Sequence, residues 1–70
     1  MINKGVVKHE LDIFFGNCLN RMQDTKKDWV YVIEWSQRYA DRKGNDQEVV
    51  EMILDHINQL EKKFGHKNAL

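Results

Sequence analysis

The sequence predicts an all-α fold, a small up-down-up three-helix bundle. Three observations point to it. Apolar residues recur at three- and four-residue spacing in three successive stretches. Proline is absent, so no ring interrupts a helical hydrogen-bond ladder. Gly44 and Gly65 follow the second and third stretches, where helices commonly end on a left-handed residue. The expected helices span about 6–23, 28–43 and 46–64. They make one domain over 1–65, followed by a loose tail at 66–70.

In the first stretch Val7, Leu11, Phe14, Phe15, Cys18 and Met22 fall on one face at about 100° per residue. His9, Glu10, Asn17, Asn20 and Arg21 fall opposite. Val6 and Ile13 form a minor second strip on that polar side. Scattered exposed aliphatics are ordinary, but as a contact this strip would favour dimerisation. Gly16 sits mid-helix, at a cost of about 1 kcal/mol relative to alanine. Its missing side chain would let a neighbouring backbone approach.

The second stretch opens at Thr25 with Asp28 three residues on, a capping box with Asp in place of Glu; direct capping by Asp28 is the alternative. Trp29 to Trp35 is rich in β-branched and aromatic residues, which favours a strand. No partner strand exists in the chain, so a helix is preferred. Trp29, Val32, Ile33, Ser36, Tyr39 and Ala40 make its apolar face. Glu34, Gln37, Arg38 and Asp41 make its polar back.

The third stretch reads most clearly. Asn45 with Glu48 forms a capping box. Val49, Val50, Ile53, Ile57, Leu60 and Phe64 form one stripe. Asp46, Glu48 and Glu51 open the helix and Lys62 and Lys63 close it, matching the macrodipole. The short Gly44-Asn45 connection makes the second and third helices antiparallel neighbours. The alternative architecture is a long helical hairpin whose core a second chain completes.

Seventy residues bury only about 60 % of the unfolded chain's surface, so stability is marginal without help. Cys18 is the single cysteine, which rules out an intrachain disulfide, and zinc spacings are missing. Oligomerisation is the aid left open, so a homodimer is expected. Eleven basic and eleven acidic side chains cancel, which removes the whole-molecule attraction of nucleic-acid binders. No apolar run approaches the ~20 residues of a membrane span, and the first residues lack the apolar core of a signal peptide. A lone thiol without such a signal fits a cytoplasmic location.

Tyr31, Trp35, Arg38 and Arg42 form the candidate partner-binding edge. On a helix they lie within roughly 60° of one another. Tyr, Trp and Arg are the types enriched at binding hot spots. The plainer reading makes Trp35 core and the arginines its rim, because a middle helix faces two neighbours. A second candidate is a basic pole of Arg21, Lys26, Lys27, Lys62, Lys63 and Lys67 against Asp24, Asp28 and Glu61. It suits an acidic partner or a phosphate backbone; dipole compensation and solubility are the plainer and preferred account of it.

Glu48, Glu51 and Asp55 line one side of the third helix and read as a solvated face rather than a metal site. His9, His56 and His66 match no zinc spacing. His56 falls near the apolar edge with Met52 and Leu60. Cys18 reads as a small buried hydrophobe, with neither a base nor an electropositive setting nearby. Glycine-rich phosphate loops are missing. No enzyme, cofactor or metal is expected. A helix-turn-helix is opposed by the length of the second helix and by the acidic start of the third, which phosphates would repel. The expected function is a small interaction protein (adaptor, inhibitor or regulator) that self-associates. The alternative is a nucleic-acid-associated regulator using the basic pole.

Overall fold

Three helices form: α1 Lys4–Arg21, α2 Lys26–Arg42 and α3 Gln47–Lys63. The structure is a computed structural model and describes residues 2–65. The expected tail at 66–70, including His66 and Lys67, lies outside the described residues. Among the described residues there is no strand, and Trp29 to Trp35 is helical within α2. No helix among them is long and apolar enough to cross a membrane.

The helix ends follow local chemistry, with three corrections to the sequence reading. First, α1 begins at Lys4 rather than near Val6, because Asn3 Oδ1 accepts from the backbone N–H of Gly5 and Val6 at 3.0 and 3.2 Å. Second, Thr25 caps α2 through its side chain, which accepts from Asp28 N–H at 3.2 Å. The capping box is only half made, because Asp28 accepts instead from Gln23 N–H at 2.9 Å. Third, α3 is capped by Asp46, not Asn45. Asp46 Oδ1 accepts from Glu48 and Val49 N–H at 3.0 and 3.2 Å.

The reason lies in the preceding turn. Gly44 has φ +69°, and Gly44 and Asn45 donate to Asp41 and Ala40 carbonyls at 3.0 and 2.8 Å. These two bonds are those of a Schellman motif with glycine in the left-handed position. Asn45 also takes a left-handed conformation, φ +55°. Asn tolerates that region better than most residues, and the adjacent Asp is then free to cap.

The core joins Val7, Leu11, Phe15 and Cys18 of α1 to Val32, Tyr39 and Ala40 of α2 and Val49, Ile53, Ile57 and Leu60 of α3. Burying each aliphatic side chain contributes about 1.5–3 kcal/mol. Polar contacts mark the directions. Lys4 Nζ meets Asp46 at 3.4 Å, His56 Nε2 meets Asp12 Oδ1 at 2.8 Å, and Lys63 Nζ donates to the Leu19 carbonyl. These pairs run in step along α1 and α3, so the two helices are parallel. Tyr39 and Lys43 at the end of α2 reach Glu10 near the start of α1, and Trp29 at its start meets Phe64 after α3. Helix α2 is therefore antiparallel to both.

His56 has only 15 % of its side chain exposed. Its Nδ1 is 2.7 Å from the Met52 carbonyl and its Nε2 faces the Asp12 carboxylate. Both partners are acceptors, so a ring with a proton on each nitrogen satisfies both. The His56 bond, followed by the Lys8 bond, holds the Asp12 carboxyl below its ordinary value. The Val49 N–H does the same for Asp46, aided by Lys4. Both groups add stability that is present above the ordinary value of 3.8 and is lost as pH falls through their lowered folded values.

Gly16 corrects a further expectation. A side chain there would meet nothing within 4 Å, so no backbone approaches it. Only the helix-propensity cost remains. Gly16→Ala is expected to stabilise the chain by about 0.4–1 kcal/mol. A higher urea midpoint at unchanged slope is the check; a lower midpoint would mean that the site is crowded in solution.

Candidate functional site

The predicted edge of α2 is assembled around an aromatic stack that reaches across to α1. Trp35 and Tyr39 are four residues apart on α2 and so lie one above the other. Their rings stack at 5.0 Å and 17°. The opposite partner of Trp35 is Phe14, with centroids 3.7 Å apart and planes 4° from parallel. Phe15 meets Trp35 edge-on at 6.1 Å. Helices α1 and α3 pack most closely together, whereas these rings stand between α1 and α2.

Both cations at the end of α2 continue the stack. Arg42 Cζ lies 5.6 Å and Lys43 Nζ 5.4 Å from the Tyr39 ring centre, within cation–π range. The Tyr39 hydroxyl donates to Glu10 Oε1 at 2.7 Å. Burial, reinforced by the Glu10 hydrogen bond, pushes the Tyr39 phenol up to about 12. A raised folded value means that this stability is fully present below the ordinary value of 10.0 and is lost as pH rises from there through about 12. Denaturant midpoints in that alkaline window are expected to fall for the wild type and to fall less steeply for Tyr39→Phe. Equal slopes would show that the Tyr39 phenol is not held above its ordinary value in solution, by burial or by Glu10.

Tyr31 is 59 % exposed, with its ring tilted against Phe14 at 5.9 Å. Trp35 is half-buried, so neither the purely core nor the purely surface reading describes it. Arg38 and Arg42 line a surface hollow with Trp35 and Asp41. Arg38 makes no hydrogen bond or ion pair among the described residues, and Arg42 makes only its contact over Tyr39.

No family model, curated protein or solved structure matches this chain. What the site does must therefore be read from its own chemistry.

Sequence reasoning placed Phe14 and Tyr39 on core faces and Glu10 on a polar face. It did not join them to Trp35 and Arg42. The four-residue step from Trp35 to Tyr39 was the signal for half of the stack. The Phe14 half depends on how α1 and α2 are rotated about their axes, which spacing alone does not encode.

Among the described residues, five members of the basic pole share one end of the bundle. Arg21 ends α1, Lys26 and Lys27 begin α2, and Lys62 and Lys63 end α3. Lys63 is tied to the Leu19 carbonyl, so it closes the bundle as well as charging it. Asp24 accepts from Trp29 Nε1 at 2.6 Å and Asp28 from Gln23 N–H, while Glu61 is buried. Arg21 lines a hollow with Phe14, Asn17, Met22, Asp28 and Tyr31, which links the pole to the aromatic edge. A second, apolar groove runs between α2 and α3, lined by Ile33, Ala40, Val50 and Leu54. Ser36 also lines it, and its buried Oγ has no hydrogen-bond partner among the described residues. Such an orphan costs about 1–3 kcal/mol.

Cys18 is buried, and its thiol is pushed up by that burial and then by Asp28. This is the opposite of the activation a thiolate nucleophile needs. Among the described residues no group of three or more His, Cys, Asp or Glu side chains is placed to hold a metal ion.

Proposed function

We propose that this chain is a small non-catalytic helical protein that works as an adaptor, inhibitor or regulator in the cytoplasm. It acts through protein–protein contact at the α2 edge formed by Tyr31, Trp35, Arg38 and Arg42, and it self-associates. One observation carries the reading. The Trp35 ring is held by stacking on Phe14 and Tyr39, yet it lines an open hollow beside two guanidinium groups that no internal carboxylate neutralises within ion-pair distance. A rigid aromatic with free arginines beside it loses little side-chain entropy on docking.

The test places a photo-crosslinking amino acid at Tyr31 in the native host, with the same group at Ile13 as a control for the other strip. The expected result is a discrete adduct from position 31 that disappears in Arg38→Glu, Arg42→Glu. No adduct at 31, or one indifferent to the arginines, rejects the reading.

The assembled pole supports a second reading, a nucleic-acid-associated regulator. Arg21, Lys26, Lys27, Lys62 and Lys63 outnumber Asp24, Asp28 and Glu61 there, which leaves the local field positive. A salt-dependent gel shift, lost when Lys26, Lys27, Lys62 and Lys63 are replaced by glutamine, would favour it over the contact edge.

A further inference from the structure

The occupant of the α2 edge is suggested by the charge pattern on the far side of the same chain. Helix α3 turns Val49, Ile53, Ile57 and Leu60 into the core, so its opposite side faces solvent. That side carries Glu51 and Asp55, both exposed, with the 41 %-exposed Leu54 next to them in the chain. Asp55 makes no hydrogen bond or ion pair among the described residues, and Glu51 only accepts from the Gln47 side chain at 3.5 Å. Arg38 and Arg42 stand four residues apart on α2, as Glu51 and Asp55 do on α3. Residues at that spacing sit about 5–6 Å apart on a helix face. The two pairs are therefore opposite in sign and equal in spacing, and none of the four makes an ion pair among the described residues. The zero net charge is a sum of segregated surfaces, and those surfaces are complementary to one another.

We propose that the α2 edge docks the α3 acidic strip of a second copy of this chain, with Arg38 and Arg42 facing Asp55 and Glu51 and Trp35 receiving Leu54. The inference rests on the contact reading above and names its partner. Asp41 also lines the α2 hollow, but two guanidinium groups against one carboxylate leave the hollow positive. The two surfaces lie on different sides of the bundle, so the contact is heterologous. A dimer is then the first product and keeps one free surface of each kind, and longer assemblies follow with concentration.

The test is sedimentation velocity on the purified full chain across concentration, with charge exchange. At about 0.01 M salt, where the Debye length is ~30 Å, the weight-average mass should climb from the monomer value of 8.4 kDa to at least twice that. At about 1 M salt, with a Debye length of ~3 Å, it should return to the monomer. Arg38→Glu, Arg42→Glu alone and Glu51→Arg, Asp55→Arg alone should each weaken association at least about tenfold, because like charges then face each other. The quadruple variant, with all four changes in one chain, should associate again. General attraction between oppositely charged chains does not explain that recovery, because the quadruple variant is neutral like the wild type. All four positions are exposed, and an unchanged helical circular dichroism spectrum checks that each variant is folded.

A wild type that stays monomeric throughout overturns the proposal, as does association indifferent to the exchanges or a quadruple variant that stays apart. If the wild type is monomeric while position 31 still crosslinks a different protein in the host, this inference fails and the contact reading stands. If position 31 crosslinks nothing, the contact reading fails first.

Discussion

Leu11→Ala is expected to destabilise the chain by about 2–5 kcal/mol, the range for emptying a large aliphatic site in a packed core. Leu11 has no exposed surface, and it lies on the buried stripe of α1 between Val7 and Phe15. A domain of this size holds roughly 3.5–10 kcal/mol in total, so the change removes a large share or all of it. A chain without a disulfide has no cross-link to limit its unfolded ensemble. Urea unfolding followed by circular dichroism measures the effect as a fall in midpoint at unchanged slope. Leu54→Ala serves as the comparison. Leu54 is substantially exposed, and its truncation should stay within about 0.5 kcal/mol. Equal losses at the two positions would contradict the burial pattern and with it the bundle.

Trp35→Ala is expected to cost about 2–4 kcal/mol, somewhat less than a fully buried tryptophan because the ring is only half covered. The loss goes beyond area. Phe14 loses its parallel partner at 3.7 Å, and Tyr39 loses the ring stacked on it at 5.0 Å. The rings that hold α1 and α2 apart would collapse, and the near-ultraviolet circular dichroism of the stack should fall sharply. Trp35→Phe should recover part of both signals. A double-mutant cycle of Trp35→Ala with Phe14→Ala should give a coupling of about 0.5–1.5 kcal/mol beyond the separate losses. Coupling near zero would mean that the two rings do not stack in solution. Because this substitution changes the fold and the proposed docking edge together, the arginine exchanges are the cleaner probe of contact.

The sequence by itself determined the helices, their faces and their direction of travel. Each of these depends on neighbours within four or five residues. The stripe from Val49 to Leu60 needs only the helical repeat, and Thr25 and Gly44 act on backbone groups close to them in the chain. At Asn45 and Asp46 the spacing to Glu48 points to Asn45 as the cap, whereas Asp46 is the residue that caps. Either residue can cap, and only the demand for two left-handed residues in the turn separates them. At Gly16 the propensity cost was legible, but the space around it was not.

Only the tertiary structure decided the rest. His56 meets Asp12 across 44 positions and Tyr39 meets Glu10 across 29. Phe14 lies on Trp35 because α1 and α2 are set at one separation and one rotation. A sequence specifies which residues share a face of one helix. Which atoms of two helices touch depends on the summed packing of all three, and no short stretch of chain carries that information.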